Sequence, residues 1–433
     1  MIQLIKFKYK KILTQKKVVK NSFYLYFALL TNQILSLLTV SYLSRMLGIA
    51  NYGVLATSQV VVSYIQIFMD FGTFLYGSRK IAAMLAVGDS VERIIVAGFW
   101  SKAILLLFIF VFLLVFQLSP VLNLVPEPHL EQKLLIALGL CALASAFNPN
   151  WIYQGFEKIN IITLLDVSNK LVTIIFVFWL VQKPSDVIFP IFISGFSSII
   201  LYGAATILII NKNKIKILSV RWQDVFVFLQ KSSINLVFQL STIPYTSAHL
   251  FILGTLASPS TVGAFAGAHR IYQYILTLFH PIIQSSYSRV SSLVSVDMQR
   301  AKSVVNFSLA ILLVFSLTIT IVLNIFLPSI INLLLGPQFY ESVHILRTLS
   351  IAIPFVAASG SLAISWLMPL EKTNWLNVIC MLASLIYFPV AISLCMFIGA
   401  TGIAIAVVII EAFVTISILT ILYRNRLLPF LPK

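Results

Sequence analysis

The chain has 433 residues, of which 60% are hydrophobic and only 10% are charged, and its formal net charge is +17. Soluble domains carry about 25% charged residues, so this composition and a mean hydropathy of +1.00 exclude an ordinary soluble protein. The relevant unit is instead the apolar run of about 20 residues that crosses the hydrocarbon core of a membrane.

Apolar runs of this length recur along the whole chain, and we predict about twelve transmembrane helices from them. The first six predicted spans are Ser22–Leu43, Tyr52–Leu75, Ile94–Leu118, Leu134–Ile152, Ile161–Val181 and Ile188–Ile210. The second six are Val225–Leu256, Val262–Ser286, Val304–Leu327, Ile345–Met368, Leu376–Phe397 and Gly402–Tyr423. The connections are short, so the sequence leaves no room for a soluble domain.

The positions of Lys and Arg predict that both termini are cytoplasmic. The first twenty residues carry seven Lys and no acid, and most other basic residues fall in connections on the same side. Only Arg45, Lys133 and Lys183 would lie outside, which agrees with the positive-inside rule. We expect these charges to meet anionic lipid headgroups. No nucleic-acid motif accompanies them, so nucleic acid is not an expected partner.

The two halves of the chain resemble each other when one is shifted by 210 positions. Tyr52-Gly53 then falls on Val262-Gly263, and Ser78-Arg79 falls on Ser288-Arg289. The predicted fold is an all-α integral membrane protein, with two pseudo-symmetric six-helix bundles around a central cavity. The predicted domains are a basic cytoplasmic tail at 1–20, bundles at 21–210 and 225–433, and a cytoplasmic linker at 211–224.

Two related spans carry a polar stripe along one helical face. In the eighth span the stripe consists of Gly263, Ala266, Arg270, Gln273, Thr277, His280, Gln284 and Tyr287. In the second span it consists of Gln59, Ser63, Gln66, Asp70, Thr73 and Gly77. A water-filled cavity shared by both spans would satisfy both stripes.

Basic residues near these stripes are candidates for binding an anionic substrate. Arg270 is the strongest, because a charge inside the membrane is costly unless it faces a cavity or a partner. Its alternatives are a snorkelling side chain or an ion pair. We add Gln273 and His280, although His280 could equally be a helix-packing residue, and the further cations Arg45, Lys170 and Arg289. Arg45 could instead snorkel at the end of its span.

Three acids inside apolar spans are candidates for coupling to protons or to another ion gradient: Asp70, Asp166 and Glu411. Asp166 also stands four residues before Lys170, which favours a local salt bridge. Glu411 could instead be a hydrogen-bond partner of another helix. The cysteines have no metal-binding spacing, and we expect no metal, cofactor or catalytic residue.

Several segments resemble the polysaccharide flippases of the multidrug/oligosaccharidyl-lipid/polysaccharide superfamily, especially the O-antigen (Wzx-type) transporters. These segments are "YLSRMLGIANYGVLATSQ" (Tyr42–Gln59), "MDFGTFLYGSRKIA" (Met69–Ala82), "NPNWIYQGFEK" (Asn148–Lys158), "STVGAFAGAHRI" (Ser260–Ile271), "PIIQSSYSRVS" (Pro281–Ser291), "LLGPQFYESVHIL" (Leu334–Leu346) and "GATGIAIAVVIIEAFV" (Gly399–Val414). One departure is Tyr287-Ser288-Arg289, where the family often has Tyr-Pro-Arg.

The resemblance implies a substrate, a direction and a location. The substrate would be an oligosaccharide on undecaprenyl diphosphate, moved by alternating access from the cytoplasmic to the periplasmic leaflet of a bacterial inner membrane. A polysaccharide polymerase and its chain-length machinery would be partners. A drug exporter of the same superfamily remains an alternative, as does a polysaccharide polymerase or glycosyltransferase. A drug exporter would be expected to have an acidic, cation-binding cavity, whereas the charged candidate residues here are mostly basic. A membrane enzyme of this kind usually needs a large external loop, and the sequence has none.

Overall fold

The computed structural model describes residues 2–117, 128–216 and 219–430, and within them all side chains except those of 2–30, 128–131, 235 and 237–247. The described chain is helical. Its helices are α1 (Ile2–Asp70), α2 (Thr73–Ala86), α3 (Glu92–Gln117), α4 (Pro128–Ala146), α5 (Asn150–Gly155), α6 (Ile159–Leu180), α7 (Phe189–Lys212), α8 (Trp222–Leu256), α9 (Pro259–Thr277), α10 (His280–Leu293), α11 (Met298–Leu334), α12 (Glu341–Ser350), α13 (Ala352–Gly360), α14 (Thr373–Ile398) and α15 (Ala400–Arg424). A 3-10 turn (Pro337–Phe339) precedes α12, and a π-helical segment (Ser361–Leu367) follows α13.

The membrane class of the fold is confirmed. Within the described residues, nine helical segments are long and apolar enough to cross a membrane, and one of them, Thr31–Ala86, covers most of two predicted spans. The count of twelve, the cytoplasmic termini, the central cavity and the domain boundaries stay predictions. The lysine side chains of the predicted tail at 1–20 lie outside the described residues.

Helix breaks occur at positions related by the same shift of 210 residues. Helix α1 is interrupted at Gly48, where φ is 77° and ψ is 167°. Glycine has no Cβ and adopts this conformation without steric cost. In the second half, α8 and α9 are separated at Ser258, which has an extended backbone with φ −67° and ψ 152°. The two halves therefore bend at equivalent places, although only one of the bends uses a glycine.

The chain forms two compact units. Unit 1 consists of Met1–Thr39, Val61–Gln182 and Ile188–Val237. Its core is built around Trp151, which is 2% exposed. A Cβ added to Gly77 or to Gly98 would lie 2.5 Å from this indole, so α2 and α3 can approach it only because both residues are glycine. Phe228 packs against the same ring, with the ring centroids 6.0 Å apart.

Unit 2 consists of Val40–Val60, Lys183–Val187 and Phe238–Lys433, so part of α1 belongs with the helices of the second half. This part of α1 crosses α9 at Gly53 and Gly263, two residues that are equivalent in the internal repeat. A Cβ added to Gly263 would lie 1.9 Å from the Ile49 carbonyl oxygen. The two backbones are therefore in direct contact at the crossing.

The chain segment that follows α15 is held against other elements of unit 2 by hydrogen bonds to its backbone carbonyls. The Trp366 indole donates to the Leu427 carbonyl at 2.7 Å, and the Asn306 amide donates to the Pro429 carbonyl at 3.0 Å. Leu428 between them is buried. The segment after α15 thus packs across α11 and the π-helical segment.

Candidate functional site

Arg270 lies at the end of a buried run in α9. The helix begins after Ser258, whose hydroxyl accepts a hydrogen bond from the Thr261 amide, and residues 262–269 are all buried. Arg270 itself is exposed, and its Nη2 donates to the Gln59 amide oxygen on α1 at 2.8 Å. Gln59 is neutral. This hydrogen bond therefore does not neutralise the positive charge of the guanidinium among the described residues.

Gln273 lies one turn beyond His269 on the same helix. Its amide nitrogen is 3.2 Å from the Nε2 atom of His269. The ring of His269 in turn packs on the ring of His249 from α8, with centroids 4.0 Å apart. Gln273 therefore contacts one member of a buried histidine pair, and it lies three residues after Arg270 on α9.

The polar stripe predicted for the eighth span is not continuous. Helix α9 ends at Thr277, and His280 is the first residue of the separate helix α10. Gly263 and Ala266 are buried in helix contacts and do not line an open face. His280 and Arg289 are both exposed on α10. The periodicity identified the polar residues, but it could not show that the helix is interrupted between them.

The stripe predicted for the second span is interrupted in the same way. Helix α1 ends at Asp70, and Gly72 adopts a left-handed conformation with φ 75° before α2 begins. Thr73 is buried at 1% exposure, and Gly77 packs against Trp151. The last two residues of this predicted stripe, Thr73 and Gly77, therefore belong to a packing surface of unit 1.

Arg45 lies beside the end of α11. Its Nη2 donates to the Leu333 carbonyl at 2.5 Å and to the Asn332 carbonyl at 3.4 Å. The last carbonyls of a helix lack intrahelical partners and carry partial negative charge, so a cation stabilises them. This contact gives Arg45 a structural role, and its role in binding an anion stays a prediction.

Asp166 belongs to a polar cluster between α5, α6 and α7. Its Oδ1 accepts hydrogen bonds from the Tyr202 hydroxyl at 2.9 Å and from the Asn150 amide at 3.2 Å. One turn further along α6, Asn169 bonds Ser197 and Ser198 of α7, at 2.9 Å each. The predicted ion pair between Asp166 and Lys170 stays a prediction.

Asp70 caps the start of α2, since its Oδ1 accepts a hydrogen bond from the Phe74 amide at 3.1 Å. It also interacts electrostatically with Lys102, a buried cation of α3 that is 3% exposed. The Lys102 ammonium donates to the carbonyls of Ser145 and Asn148, at 3.2 Å each. The prediction of topology counts Lys102 among the cytoplasmic basic residues. Its position well inside the predicted span Ile94–Leu118 is nevertheless a sequence signal that the side chain is buried.

Glu411 is half-buried on α15. Its charge interacts with the Tyr272 phenol, whose hydroxyl is buried and has no hydrogen-bond partner in the described part of the chain. The structure thus brings Glu411 towards the helix of Arg270, whereas Asp70 and Asp166 belong to unit 1. No group of three potential metal ligands occurs in the described residues.

Comparison with solved structures identifies the fold. The chain is similar to the lipid II flippase MurJ in an inward closed conformation, with a TM-score of 0.71 and 15% identity, covering 94% of this chain and 87% of that one. It is also similar to an inward-facing multidrug resistance MATE family transporter of the MOP superfamily. There the TM-score is 0.67 at 13% identity, over 91% and 98% of the two chains. The chain therefore shares the multi-span helical fold of these two membrane proteins.

Sequence comparison then places the chain in a family. The model of the polysaccharide biosynthesis protein family matches residues 18–294, more than half of the chain, and the chain belongs to this family. It is 25% identical over 418 residues to the "Putative O-antigen transporter" of Escherichia coli (strain K12), covering 94% of this chain and 97% of that protein. A protein of the same name from Shigella dysenteriae is 22% identical over 401 residues, covering 92% and 98%. The resemblance drawn from the sequence motifs is confirmed.

Proposed function

We propose that the chain is a flippase that moves an oligosaccharide linked to undecaprenyl diphosphate from the cytoplasmic to the periplasmic leaflet of the bacterial inner membrane. It would act as a transporter and not as an enzyme. The observation that carries the proposal is the Arg270 guanidinium, which is exposed on α9, within the predicted eighth span, and hydrogen-bonded to the neutral Gln59. Membership of the polysaccharide biosynthesis family supports the substrate class.

A lipid diphosphate fits this chemistry. Arginine presents a planar set of N–H donors that can bind phosphate oxygens in pairs, and such charge-assisted hydrogen bonds are roughly twice as strong as neutral ones. The hydrogen bond to Gln59 uses one nitrogen and fixes the orientation of the guanidinium. The other donors can then bind the diphosphate. Gln273 and the exposed cations Arg289 and Arg45 are further candidates for contacts with phosphate or sugar.

Alternating access requires a closure that can open, and the crossing of α1 with α9 is the proposed periplasmic closure. Arg45 lies beside this crossing and falls outside the membrane in the predicted orientation. Asn51 adds a hydrogen bond to the Pro184 carbonyl at 3.0 Å, and Tyr52 packs edge-on against Phe339. The crossing and the contact between Tyr52 and Phe339 join part of the first half of the chain to the second half. Their separation would open a route to the periplasm.

The proposed partners follow from the same model. Anionic lipids would meet the basic residues of the cytoplasmic face. The product would be an oligosaccharide presented at the periplasmic leaflet, where a polymerase and its chain-length machinery would consume it. A multidrug exporter is the alternative function for this fold.

The proposal can be tested in a strain that lacks the gene. We expect loss of the surface polysaccharide and accumulation of its lipid-linked repeat unit in the inner leaflet, both reversed by expression of the full chain. The measurement is quantification of surface polysaccharide together with that of the lipid-linked precursor. Normal polysaccharide combined with an altered drug susceptibility would overturn the proposal in favour of the exporter.

Ion coupling is a second part of the proposal, and it assigns the coupling acid to Glu411 or Asp166. Asp70 is the weaker candidate, because its carboxylate caps α2 and the buried Lys102 supplies a positive charge near it. The Glu411 carboxylate accepts no hydrogen bond within the described residues. A half-buried carboxylate without such a partner is costly when charged, so binding a proton would remove that cost.

Glu411→Gln and Asp166→Asn are expected to reduce transport several-fold or more without lowering the amount of protein in the membrane. Each substitution removes the exchangeable charge but keeps the shape and a hydrogen-bonding group. The measurement is polysaccharide export normalised to membrane abundance. Glu341→Gln, which changes an exposed acid of α12, is the matched control and should be neutral. Full export by both neutral variants would end the coupling assignment.

A further inference from the structure

Two histidines lie side by side inside unit 2. The rings of His249 on α8 and His269 on α9 have centroids 4.0 Å apart and planes inclined at 58°. The two residues are 2% and 8% exposed. Phe265 packs against both rings, with centroids 5.5 Å from His249 and 5.6 Å from His269. The pair is therefore enclosed by apolar and aromatic groups, next in sequence to Arg270.

The Gln273 amide and the His269 Nε2 atom form a hydrogen bond of 3.2 Å, whose direction depends on the His269 tautomer. When the ring is neutral with its proton on Nδ1, Nε2 accepts from the amide nitrogen, which can only donate. This arrangement, with the amide nitrogen towards the ring, fits a neutral His269. If it took up a proton, Nε2 would become a donor, and the Gln273 amide would have to turn its oxygen towards the ring. Protonation would therefore reverse the amide of a residue beside Arg270.

The His249 ring carries a nitrogen that is not used. Its Nδ1 atom is buried and has no hydrogen-bond partner among the described residues. A buried polar atom without a partner costs about 1–3 kcal/mol, and such atoms often mark a functional group or a bound water. This atom lies in the pair that contacts Gln273, so the pair has a free position for a proton or a water molecule.

The charged groups around the pair come from few elements. Helix α9 supplies Arg270 and Tyr272, the latter with its ring centroid 5.9 Å from His269. Helix α15 supplies Glu411, whose charge acts on Tyr272, and α1 supplies Tyr52, whose phenol interacts with Arg270. Helix α12 faces α9 with apolar residues and Ser342, which bonds the Ala264 carbonyl. Among the side chains that the structure describes, Arg270 is thus the formal charge adjacent in sequence to the pair, and it is positive.

We propose that His249 and His269 form a proton-binding site that is coupled to anion binding at Arg270. The positive guanidinium opposes an imidazolium beside it. A diphosphate bound to Arg270 neutralises that charge, and a ring nitrogen then takes a proton from water. The Gln273 amide turns at the same step. The inference rests on the proposed function, because it requires Arg270 to bind the diphosphate, and it adds a coupling site distinct from the acids.

Thermodynamic linkage makes the proposal measurable. If the anion favours protonation, then protonation must strengthen anion binding by the same factor. Coupling of this kind is typically worth roughly 5- to 150-fold in affinity. The affinity of the wild-type protein for a lipid diphosphate should therefore rise as the pH falls from about pH 8 to about pH 4, a range that reaches below the ordinary one for imidazole because the two rings are buried.

The experiment measures the affinity of the full chain in lipid nanodiscs for undecaprenyl diphosphate over that pH range. We expect wild-type affinity to rise at least about 5-fold towards low pH. His269→Gln and His249→Asn should each remove most of this rise. His344→Gln, an exposed histidine of α12, is the matched control and should keep the wild-type profile. Because the lipid titrates in all four samples, differences between the profiles report on the protein.

The outcomes separate this inference from the proposed function. Binding with the same pH profile in the wild type and in either folded pair variant would overturn the proton site and leave the flippase assignment in place. Binding that is absent from the wild type, or unchanged in Arg270→Ala, would overturn both.

Discussion

Replacing Arg270 with alanine is expected to abolish polysaccharide export while the protein still inserts at a normal level. Its guanidinium is exposed and its hydrogen bond is to the neutral Gln59, so its removal leaves no acid unpaired among the described residues. The expected cost to folding is therefore small, whereas the cost to binding a diphosphate is large. The measurement is surface polysaccharide normalised to membrane abundance.

A lysine at the same position separates charge from geometry. Arg270→Lys should retain part of the activity, because the positive charge remains but the planar set of donors is lost. Gln59→Glu is a complementary change, since a carboxylate would pair with the guanidinium and compete with the diphosphate. Near-normal export by a well-expressed Arg270→Ala variant would contradict the assignment. The anion site would then be sought at Arg45, Lys170 and Arg289.

Gly263→Ala is expected to disrupt unit 2. The added methyl group would lie 1.9 Å from the Ile49 carbonyl oxygen, and a Cβ on Gly53 would lie 1.9 Å from the Pro259 carbonyl oxygen. Backbone atoms of packed helices cannot move aside as a flexible side chain can. The helices must separate, and overpacking typically costs about 1–3 kcal/mol, occasionally more. We expect lower abundance, a lower melting temperature in detergent and loss of export.

Gly203→Ala provides a matched control on α7. A Cβ at this position meets no atom within 4 Å, so the added methyl group has free space. Alanine is also favoured over glycine in a helix by about 1 kcal/mol. The control should therefore be neutral or slightly more stable. A Gly263→Ala variant with the melting temperature and export of the wild type would show that α1 and α9 do not need this close approach.

Much of the architecture could be derived from the sequence because it depends on local properties. Hydropathy indicates which segments can lie in lipid, and a backbone without water must satisfy its own hydrogen bonds, which makes those segments helical. The internal repeat can also be recognised in the sequence, as a constant shift of 210 positions. This shift relates Gly53 to Gly263, and the structure brings these two residues into contact. The same shift also relates the breaks at Gly48 and Ser258.

The polar stripe predicted for the eighth span shows that helical periodicity alone does not predict where a helix is interrupted. Helical periodicity correctly grouped Arg270 with Gln273, but it treated residues 262–286 as one helix. The structure ends α9 at Thr277 and starts α10 at His280. A proline near the start of α10 allowed a break, but it did not require one, because proline is also compatible with the first turn of a new helix and with a kink.

The partners of the candidate site were decided by the tertiary structure alone. The pairing of Arg270 with Gln59 joins residues 211 positions apart, and Arg45 reaches carbonyls more than 280 positions away. The position of Lys102 inside an apolar run indicates burial, but only the structure identifies its two carbonyl acceptors, and only the structure shows that His269 lies beside His249. Composition and periodicity depend on neighbours along the chain. The solvation of a charge or an imidazole in a membrane depends on which distant atoms surround it, and only packing determines that.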